Sequence, residues 1–426
     1  MRFISSNGSL LSSLLIAGIA LGCSAGTNDS SSGAGNVGGS DPAAGGAGGA
    51  IGSNNGGAVP GGSTGQFDPA GGGTVNPNCD SGADEDFDMD GVSVAQGDCN
   101  DCDANTNPGA IEVIGEAEGT GGGGGAGGGG EYVPADEDCD GVADNVPEPC
   151  DASLDLVGTD PFDGARAIEL CKSAANEQDY GILSAAWVRA NGVPANVNAH
   201  MGILADFGPN VLPQAGGRVL GISSGTARDA LDPGYINHTT TINGPGTPPP
   251  GFPQDVPGCL GLTNINDDVG LEVSLRAPTN ATGFRFDFKF YSNEFPEYVC
   301  TSFNDQFIAL VNPAPEGSVN GNISFDSMNN PVSVNIAFFD VCDPGITGEP
   351  CPSGPMELQG TGFGPGEGGT TWLQTSAPVT GGQTFSIRFA TWDVGDSAYD
   401  STTIIDNFQW VANGGTVTVG TIPVPE

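Results

Sequence analysis

The chain has 426 residues, including 72 glycines, 32 prolines and 11 cysteines, and its formal net charge at pH 7 is −42. That charge argues against a nucleic-acid partner, since phosphate recognition needs clustered lysine and arginine. It also argues against attachment to an anionic membrane surface through protein charge. The many cysteines indicate an oxidising compartment. The length alone would suggest two or three domains, but the glycines are unevenly spread, so less of the chain can form a core.

The N-terminus has the features of an export signal. Arg2 precedes an apolar run over 10–21, which is shorter than a spanning helix of roughly 20 residues and matches a signal-peptide core. The run ends at Ala20-Leu21-Gly22-Cys23, which resembles the lipobox of bacterial lipoproteins, although the commoner box has leucine three positions before the cysteine. That resemblance implies a lipoprotein-type signal peptide over residues 1–23 and lipidation of Cys23. The alternative is ordinary signal cleavage, with Cys23 lost or left as a spare thiol.

Residues 24–78 form a segment of low complexity. Up to Val75 it consists mainly of glycine, serine, asparagine, alanine and threonine, with no lysine, arginine or cysteine. Such a composition cannot bury enough apolar surface to offset its chain entropy. We therefore predict a disordered tether, which as a flexible coil would span about 40 Å on average.

Residues 79–150 form an acidic cassette that contains cysteines. Between 79 and 163 there are 23 acidic side chains and no lysine or arginine, so either the segment is disordered or cations neutralise it. Asp86-Phe87-Asp88-Met89-Asp90-Gly91 places carboxylates at alternate positions before a glycine, as at the start of an EF-hand calcium loop. Gly97 stands where an EF-hand has its closing glutamate, so an EF-hand proper is not expected.

Three further strings follow: Asp98-Cys99-Asn100-Asp101-Cys102-Asp103, then Asn107-Pro108-Gly109-Ala110-Ile111-Glu112, then Asp136-Glu137-Asp138-Cys139-Asp140-Gly141. Over residues 84–144 this order resembles the MopE-type metal-binding motif of bacterial surface proteins, here split by a glycine-rich insert at 119–130 and with Cys102 added. We expect calcium on the oxygen ligands of Asp86, Asp88, Asp90, Asp98, Asp101, Asp103, Glu112, Asp136, Asp138 and Asp140. The alternative is a solvated acidic spacer.

The cysteines favour disulfide bonds over a thiolate metal site. Cys99-x-x-Cys102 is one CxxC without a second, which is a weak zinc signal in an exported chain. Without Cys23, ten cysteines remain and can pair completely. The candidates are Cys79, Cys99, Cys102, Cys139, Cys150, Cys171, Cys259, Cys300, Cys342 and Cys351. Cys342 and Cys351 are the best pair by proximity, and Cys171 could tie back to Cys150.

The main domain is predicted at 151–415, followed by a C-terminal tail at 416–426. Asp160-Pro161-Phe162-Asp163 is typical of a helix start, and we predict a short helix over 165–175 that contains Cys171. From Phe284 to Phe290, phenylalanines alternate with the charged residues Arg285, Asp287 and Lys289. This pattern predicts an antiparallel strand packed on one side. The other predicted strands are 180–188, 323–325, 332–338, 384–392 and 402–410. Short strands broken by glycine and proline favour a mainly β fold, an antiparallel β-sandwich or jelly roll.

Three strings in this domain resemble the choice-of-anchor L domain. They are Tyr291-Ser292-Asn293-Glu294-Phe295-Pro296-Glu297-Tyr298 followed by Asn304-Asp305, then Gly321-Asn322-Ile323-Ser324, then Trp392-Asp393-Val394-Gly395-Asp396 leading to Tyr399-Asp400-Ser401. The resemblance implies an extracellular β domain with no known catalysis, whose relatives carry varied surface-sorting signals. Here the lipobox would supply the anchor.

Six oxygen-bearing residues in these strings predict a second calcium site: Glu294, Asn304, Asp305, Asp393, Asp396 and Asp400. The alternative is that they cap turns, as Asp and Asn commonly do. Asp406-Asn407 could be a further partner or an edge polar pair. Gly221-Ile222-Ser223-Ser224-Gly225 matches the nucleophile-elbow pattern, but His200 precedes the serine, His238 follows too soon, and no alternating β/α pattern surrounds it.

The leading functional hypothesis is a non-enzymatic, cation-binding, lipid-anchored surface protein that presents a β-sandwich for adhesion or extracellular matrix interaction. The protein would be located at the outer membrane or cell surface, or would otherwise be secreted. Its partner would be a matrix component, a glycan or a surface protein. One alternative is a carbohydrate-binding module, which needs exposed aromatics such as Trp372, Trp392 or Trp410 on one face. The other is a secreted hydrolase, which needs a pocket with converging acid and base groups.

Overall fold

The computed structural model describes residues 82–114, 134–196, 199–237, 241–336, 338–412 and 415–425. The predicted signal peptide at 1–23, the tether at 24–78 and the insert at 119–130 lie outside these residues, as do Cys23 and Cys79. The described part is mainly antiparallel β structure with few helical segments, so the predicted fold class is confirmed.

Twelve strands are described. They are β1 Gly181–Val188, β2 Met201–Leu204, β3 Val219–Ser223, β4 Ile265–Arg276, β5 Gly283–Ser292, β6 Gln306–Asn312, β7 Val332–Ser333, β8 Gly368–Gly369, β9 Leu373–Pro378, β10 Thr384–Val394, β11 Ser401–Val411 and β12 Gly420–Pro423. The helices are α1 Pro161–Arg166 and α2 Pro344–Thr347, with single 3-10 turns at Val94–Gln96 and Met356–Leu358.

The strands form two antiparallel sheets. One has the order β1-β4-β10-β6-β7, and the other has the order β12-β9-β5-β11-β3-β2, with β8 paired to β5. Aromatic side chains join the two sheets face to face: the ring centroids of Phe286 and Phe389 are 5.0 Å apart, and those of Phe288 and Phe307 are also 5.0 Å apart. The main apolar core lies between the sheets, as in a β-sandwich.

Strand β5 follows the predicted alternation, but the prediction that it packs on one side only is wrong. Its phenylalanines face the core, whereas Lys289 on the opposite face is wholly buried and Asp287 is 2% exposed. The Lys289 amine pairs with the Glu357 carboxylate and donates to the Thr370 carbonyl at 3.3 Å. The segment around 356–370 therefore covers the charged face of the strand.

The predicted strands at 180–188, 384–392 and 402–410 correspond to β1, β10 and β11. The strand predicted at 323–325 is wrong, since only isolated bridges occur there, and that at 332–338 reduces to the two residues of β7. The side chain of Asn322 explains the first difference. Its Oδ1 accepts from the Ala309 and Ser324 amides at 3.0 and 3.1 Å, which replaces ladder hydrogen bonds.

Helix α1 begins as predicted, with the Asp160 carboxylate accepting from the Phe162 amide at 2.9 Å. The helix ends at Arg166, so its prediction over 165–175 is wrong, and Cys171 is not helical. Glu169 has a φ of 66°, which takes the chain off the helical path. Its Oε2 instead accepts from the Asn407 amide on β11 at 3.1 Å.

The C-terminal tail predicted at 416–426 contains β12, which pairs with β9 at the edge of the second sheet. The Thr421 hydroxyl lies 2.8 Å from the Thr375 hydroxyl, and the Val424 amide donates to the Trp372 carbonyl at 2.9 Å. The β domain therefore extends beyond its predicted end at residue 415.

Disulfide bonding is confirmed. The described pairs are Cys99–Cys139, Cys150–Cys171, Cys259–Cys300 and Cys342–Cys351. Cys102 is disulfide-bonded as well, so Cys99 and Cys102 do not form a thiolate metal site. None of the described helices is long and apolar enough to cross a membrane.

Candidate cation-binding sites

The first acidic loop of the cassette, residues 86–91, is held by its own carboxylates. The Gly91 amide donates to Asp86 Oδ2 at 3.0 Å, and the Asp90 amide donates to Asp88 Oδ1 at 3.2 Å. Gly91 has a φ of 96°, which the turn requires and which side chains other than glycine rarely adopt. Asp88 Oδ2 is buried and has no hydrogen-bond partner among the described residues, so an oxygen remains for an ion.

The second acidic loop, residues 136–141, repeats this arrangement. The Gly141 amide donates to Asp136 Oδ2 at 3.0 Å, the Asp140 amide donates to Asp138 Oδ1 at 3.1 Å, and Gly141 has a φ of 92°. The disulfide between Cys99 and Cys139 ties this second loop to the segment that follows the first. The cassette therefore contains two loops with the same spacing and the same internal hydrogen bonds.

Carboxylate oxygens converge at four places in the described part of the cassette. In each group one oxygen per residue lies within 4.8 Å of the others, and the groups are Asp86/Asp88/Asp90, Asp88/Asp98/Asp101, Glu112/Glu137/Asp144 and Glu112/Asp136/Asp138. Of the predicted ligands, Asp103 and Asp140 belong to none of the groups. Glu137 and Asp144 were not predicted as ligands. The available signal was the acidic string 136–141, which contains Glu137 and precedes Asp144.

The electrostatics of these groups favour a bound cation. Burial, and then the charges of Asp90 and Asp88, raise the pKa of Asp98 to about 7. Burial, and then the charge of Glu137, also raise the pKa of Glu112 to about 7. The ion pairs found among the described residues all lie outside the cassette. Burial raises the pKa of Asp138, and the nearby charge of Lys172 opposes that rise. Hard carboxylate oxygens of this kind fit calcium.

The cassette is joined to the β domain by a short set of hydrogen bonds. Asn280 Oδ1 accepts from the Ile111 amide at 3.1 Å, and its Nδ2 donates to the Ile111 carbonyl at 2.8 Å. Asn107 connects this contact to the first loop, since its Nδ2 donates to Asp90 Oδ2 at 2.7 Å and its Oδ1 accepts from the Thr279 hydroxyl at 2.8 Å. Ordering of the first loop is thus physically coupled to the β domain.

The second predicted ligand set is only partly assembled. Glu294, Asn304, Asp305, Asp393 and Asp400 are buried. Asp396 is exposed, and its Oδ1 accepts from the Ala398 amide at 3.1 Å, as a turn-capping residue does. Asn304 Oδ1 accepts from the Asn335 amide at 3.3 Å.

Four of these carboxylates influence one another. Burial and the charge of Asp305 raise the pKa of Glu294 to about 10. Burial raises the pKa of Asp305 to about 8, with the charge of Asp400 adding to the effect. Burial, and then the charges of Asp305 and Asp400, raise the pKa of Asp393 well above its ordinary value. These four buried side chains therefore form an acidic cluster through their charges, but they are not among the groups of described residues whose oxygens converge within 4.8 Å.

Ser223, at the end of β3, does not form a nucleophile elbow. No helix follows the strand directly, and the Ser223 hydroxyl is buried, 3.2 Å from the Ser401 carbonyl and 2.8 Å from the Thr402 hydroxyl. His200 Nδ1 lies 2.7 Å from the Ser223 carbonyl oxygen rather than from its hydroxyl. His238 lies outside the described residues.

The tryptophans do not form an exposed face in the described structure. Trp392 is fully buried, and Trp410 packs edge-on against Phe408 with ring centroids 5.1 Å apart. Trp372 is half-buried, with the Lys289 amine 5.6 Å from its ring centroid. A stacking platform for sugar rings would need exposed aromatic faces grouped together.

Comparison with protein families supports the resemblance seen in the sequence. Residues 222–408 match the family model described as "Choice-of-anchor L domain". The matched range runs from the end of β3 to within β11, so it covers most of the sandwich. The match supports a surface-associated or exported β domain that is not of a known enzyme family. Neither the curated proteins nor the solved structures contain a match to the chain.

Proposed function

We propose that this protein is a non-enzymatic, calcium-binding surface protein that presents a disulfide-bonded β-sandwich for adhesion or extracellular matrix interaction. The observation that carries the proposal is the convergence of cassette carboxylates at four places. The resemblance to the MopE-type motif supports the same reading. The cassette is hydrogen-bonded to the β domain through Asn280. An ion bound in the cassette would therefore order the segment that precedes the β domain.

The proposed anchor is a lipid on Cys23, so that the protein contacts the membrane only through its N-terminus. The domain match supports a surface location. The partner would be a matrix component, a glycan or another surface protein. A nucleic acid is not expected, given the net charge of −42.

The structure favours this function over the two alternatives. A carbohydrate-binding module is disfavoured because Trp392 is buried and Trp410 is packed against other aromatic rings. A hydrolase is disfavoured because the Ser223 hydroxyl is buried and bonded. A cleft of about 340 Å³ contains Glu272, but this carboxylate is ion-paired with Arg388 rather than placed opposite a second acid.

The calcium proposal is tested by metal analysis and calorimetry of the mature protein, with and without chelator at matched ionic strength. Extracellular modules bind calcium at roughly 10⁻⁴–10⁻³ M, so stabilisation should appear at millimolar calcium. An ion at hundredfold excess over its Kd adds about 2.7 kcal/mol to the free energy of unfolding. A melting curve that ignores calcium would overturn the proposal.

Two variants sharpen this test. Asp88 belongs to two of the four groups, so Asp88→Asn should reduce both calcium stoichiometry and the calcium-dependent melting shift. Asp103→Asn is the matched control, because Asp103 belongs to no group and its carboxylate accepts from the Asn105 amide at 3.1 Å. Equal effects of the two substitutions would show that general charge reduction, not site binding, is responsible.

The anchor is tested separately by cell fractionation. Wild-type protein should partition with membranes, whereas Cys23→Ala should be released into a soluble fraction. Fractionation of the variant with the membranes would contradict lipid anchoring and leave the calcium proposal untouched.

A further inference from the structure

We infer that Asp88 is the bridging ligand of a two-ion calcium centre. One ion lies in the first acidic loop, and a second, more shielded ion lies between Asp88, Asp98 and Asp101. The inference rests on the proposed calcium function of the cassette. It adds the number of ions at the first loop and the residue that joins them.

The carboxylates around the first loop converge at two points rather than one. Asp86, Asp88 and Asp90 form one group, and Asp88, Asp98 and Asp101 form another, each with oxygens within 4.8 Å of one another. Calcium binds its oxygen ligands at roughly 2.3–2.6 Å, so two ligands of one ion lie no more than about 5 Å apart. The two groups share only Asp88. A single ion would therefore not reach all five carboxylates, whereas two ions with Asp88 between them would.

The side chain of Asp98 points to the second ion. Asp98 is 3% exposed, and its Oδ1 accepts from the Asn100 amide at 2.8 Å. Its Oδ2 is buried and has no hydrogen-bond partner among the described residues, and the same holds for Asp88 Oδ2. Burying a carboxylate oxygen without a partner is costly. A cation held between Asp88 and Asp98 would provide the partner for both oxygens.

Disulfide bonds fix the segment that carries the second group. Asp98 directly precedes Cys99, which is bonded to the second acidic loop. Asp101 directly precedes Cys102, which is also disulfide-bonded. Asp101 is 4% exposed, and its Oδ1 accepts from the Phe87 amide of the first loop at 2.9 Å. These bonds pre-organise the second group against the first loop, which reduces the entropy lost when an ion binds.

The two ion positions differ in their access to solvent. Asp86 is exposed and Asp90 is half-buried, whereas the two ligands contributed by the segment 98–101 are buried. The neighbouring cysteines are disulfide-bonded, so the donors of both groups are carboxylate oxygens. Hard oxygen donors favour calcium over softer metals. The centre therefore combines an accessible calcium position with a shielded one.

The test is to count the calcium ions bound per chain by native mass spectrometry of the folded mature protein, titrated with calcium chloride. Asp86→Asn removes a ligand of the loop ion, and Asp98→Asn removes a ligand of the shielded ion. Each variant should therefore bind one calcium fewer than the wild type. Asp88→Asn removes the bridge and should bind two fewer. Asp103→Asn is the matched control and should bind the wild-type number, because Asp103 belongs to none of the four groups of described residues.

The outcomes separate this inference from the proposed function. Equal losses in Asp86→Asn, Asp88→Asn and Asp98→Asn would show that the carboxylates form one site, which would refute the two-ion centre. An Asp98→Asn protein that binds the wild-type number of ions would also refute it. Wild-type protein that binds no calcium would overturn the proposed function itself. If Asp98→Asn does not fold, Asp101→Asn takes its place, because asparagine keeps an oxygen for the Phe87 amide.

Discussion

The hydrogen bonds of Asn280 provide a direct way to uncouple the cassette from the β-sandwich. Asn280 is 5% exposed and makes two hydrogen bonds with the backbone of Ile111. Each such bond contributes about 0.5–1.5 kcal/mol, and leaving a partly buried donor and acceptor unsatisfied adds to the loss. We therefore expect Asn280→Ala to weaken cassette docking by about 2–3 kcal/mol.

Native-state hydrogen exchange measures this loss where it occurs. At 1.4 kcal/mol per factor of ten, amides protected by docking should exchange about 30- to 150-fold faster in Asn280→Ala. The Thr279 amide, which donates to the Gly109 carbonyl at 2.9 Å, is the most direct reporter. Asn191→Ala is the control, because the hydrogen bond of its side chain among the described residues is local, from the Val193 amide at 3.1 Å. Unchanged exchange, or uniform acceleration across the sandwich, would refute the docking argument.

Two further predictions concern buried charges in the sandwich. Lys289→Met should lower the free energy of unfolding by about 2–3 kcal/mol, measured by denaturant unfolding. This is less than the roughly 3–5 kcal/mol typical of a broken buried pair, because the Glu357 side chain is 29% exposed. Lys172→Met, at a more exposed pair, should cost under about 1 kcal/mol. Equal costs would contradict the burial of Lys289. Burial, and then the charge of Asp406, raise the pKa of Glu169 from 4.5 to about 9. Between these two values the folded protein holds a proton on Glu169 that the unfolded chain has lost. The free energy of unfolding should therefore fall as pH rises through that range. Glu169→Gln should remove part of this slope in melting curves at pH 5 and pH 9, and an unchanged slope would show that Glu169 does not cause it.

The sandwich could be predicted because apolar side chains of its core recur at every second residue along a strand. The alternation of Phe284, Phe286, Phe288 and Phe290 is visible in the sequence, and these side chains do form the contact between the sheets. What covers the other face of β5 could not be predicted, since Glu357 reaches Lys289 from 68 residues away. Likewise β12 has no strong apolar pattern, and its place is decided by pairing with β9.

The two candidate sites differed in how much the sequence revealed. The cassette loops are local, so the spacing of Asp86, Asp88 and Asp90 was enough to predict carboxylates around one point. Asp267, whose charge adds to the raised pKa of Asp393, could not be found in this way, because it lies at the register shift between β4 and β10. Asp396, which belongs to the same string as Asp393, lies on the surface, since adjacent residues in a turn point in different directions.

The few basic residues of the described structure make their contacts within the β domain. Five of the described basic side chains form ion pairs within the β domain. The others donate to carbonyl oxygens: Arg218 to Leu154 at 3.2 Å, Arg228 to Met201 at 2.8 Å, Arg276 to Asp179 at 3.0 Å, and Arg285 to the Gln409 side chain at 2.7 Å.

Three of these arginines thus satisfy backbone carbonyl oxygens, and Arg285 satisfies the side chain of Gln409, its paired residue on β11. The ion pairs of these basic side chains all lie in the β domain, although the charge of Lys172 also acts on Asp138 of the cassette. A chain in which 10 basic residues face 52 acidic ones can fold around such clusters only if protons or metal ions supply the missing charge.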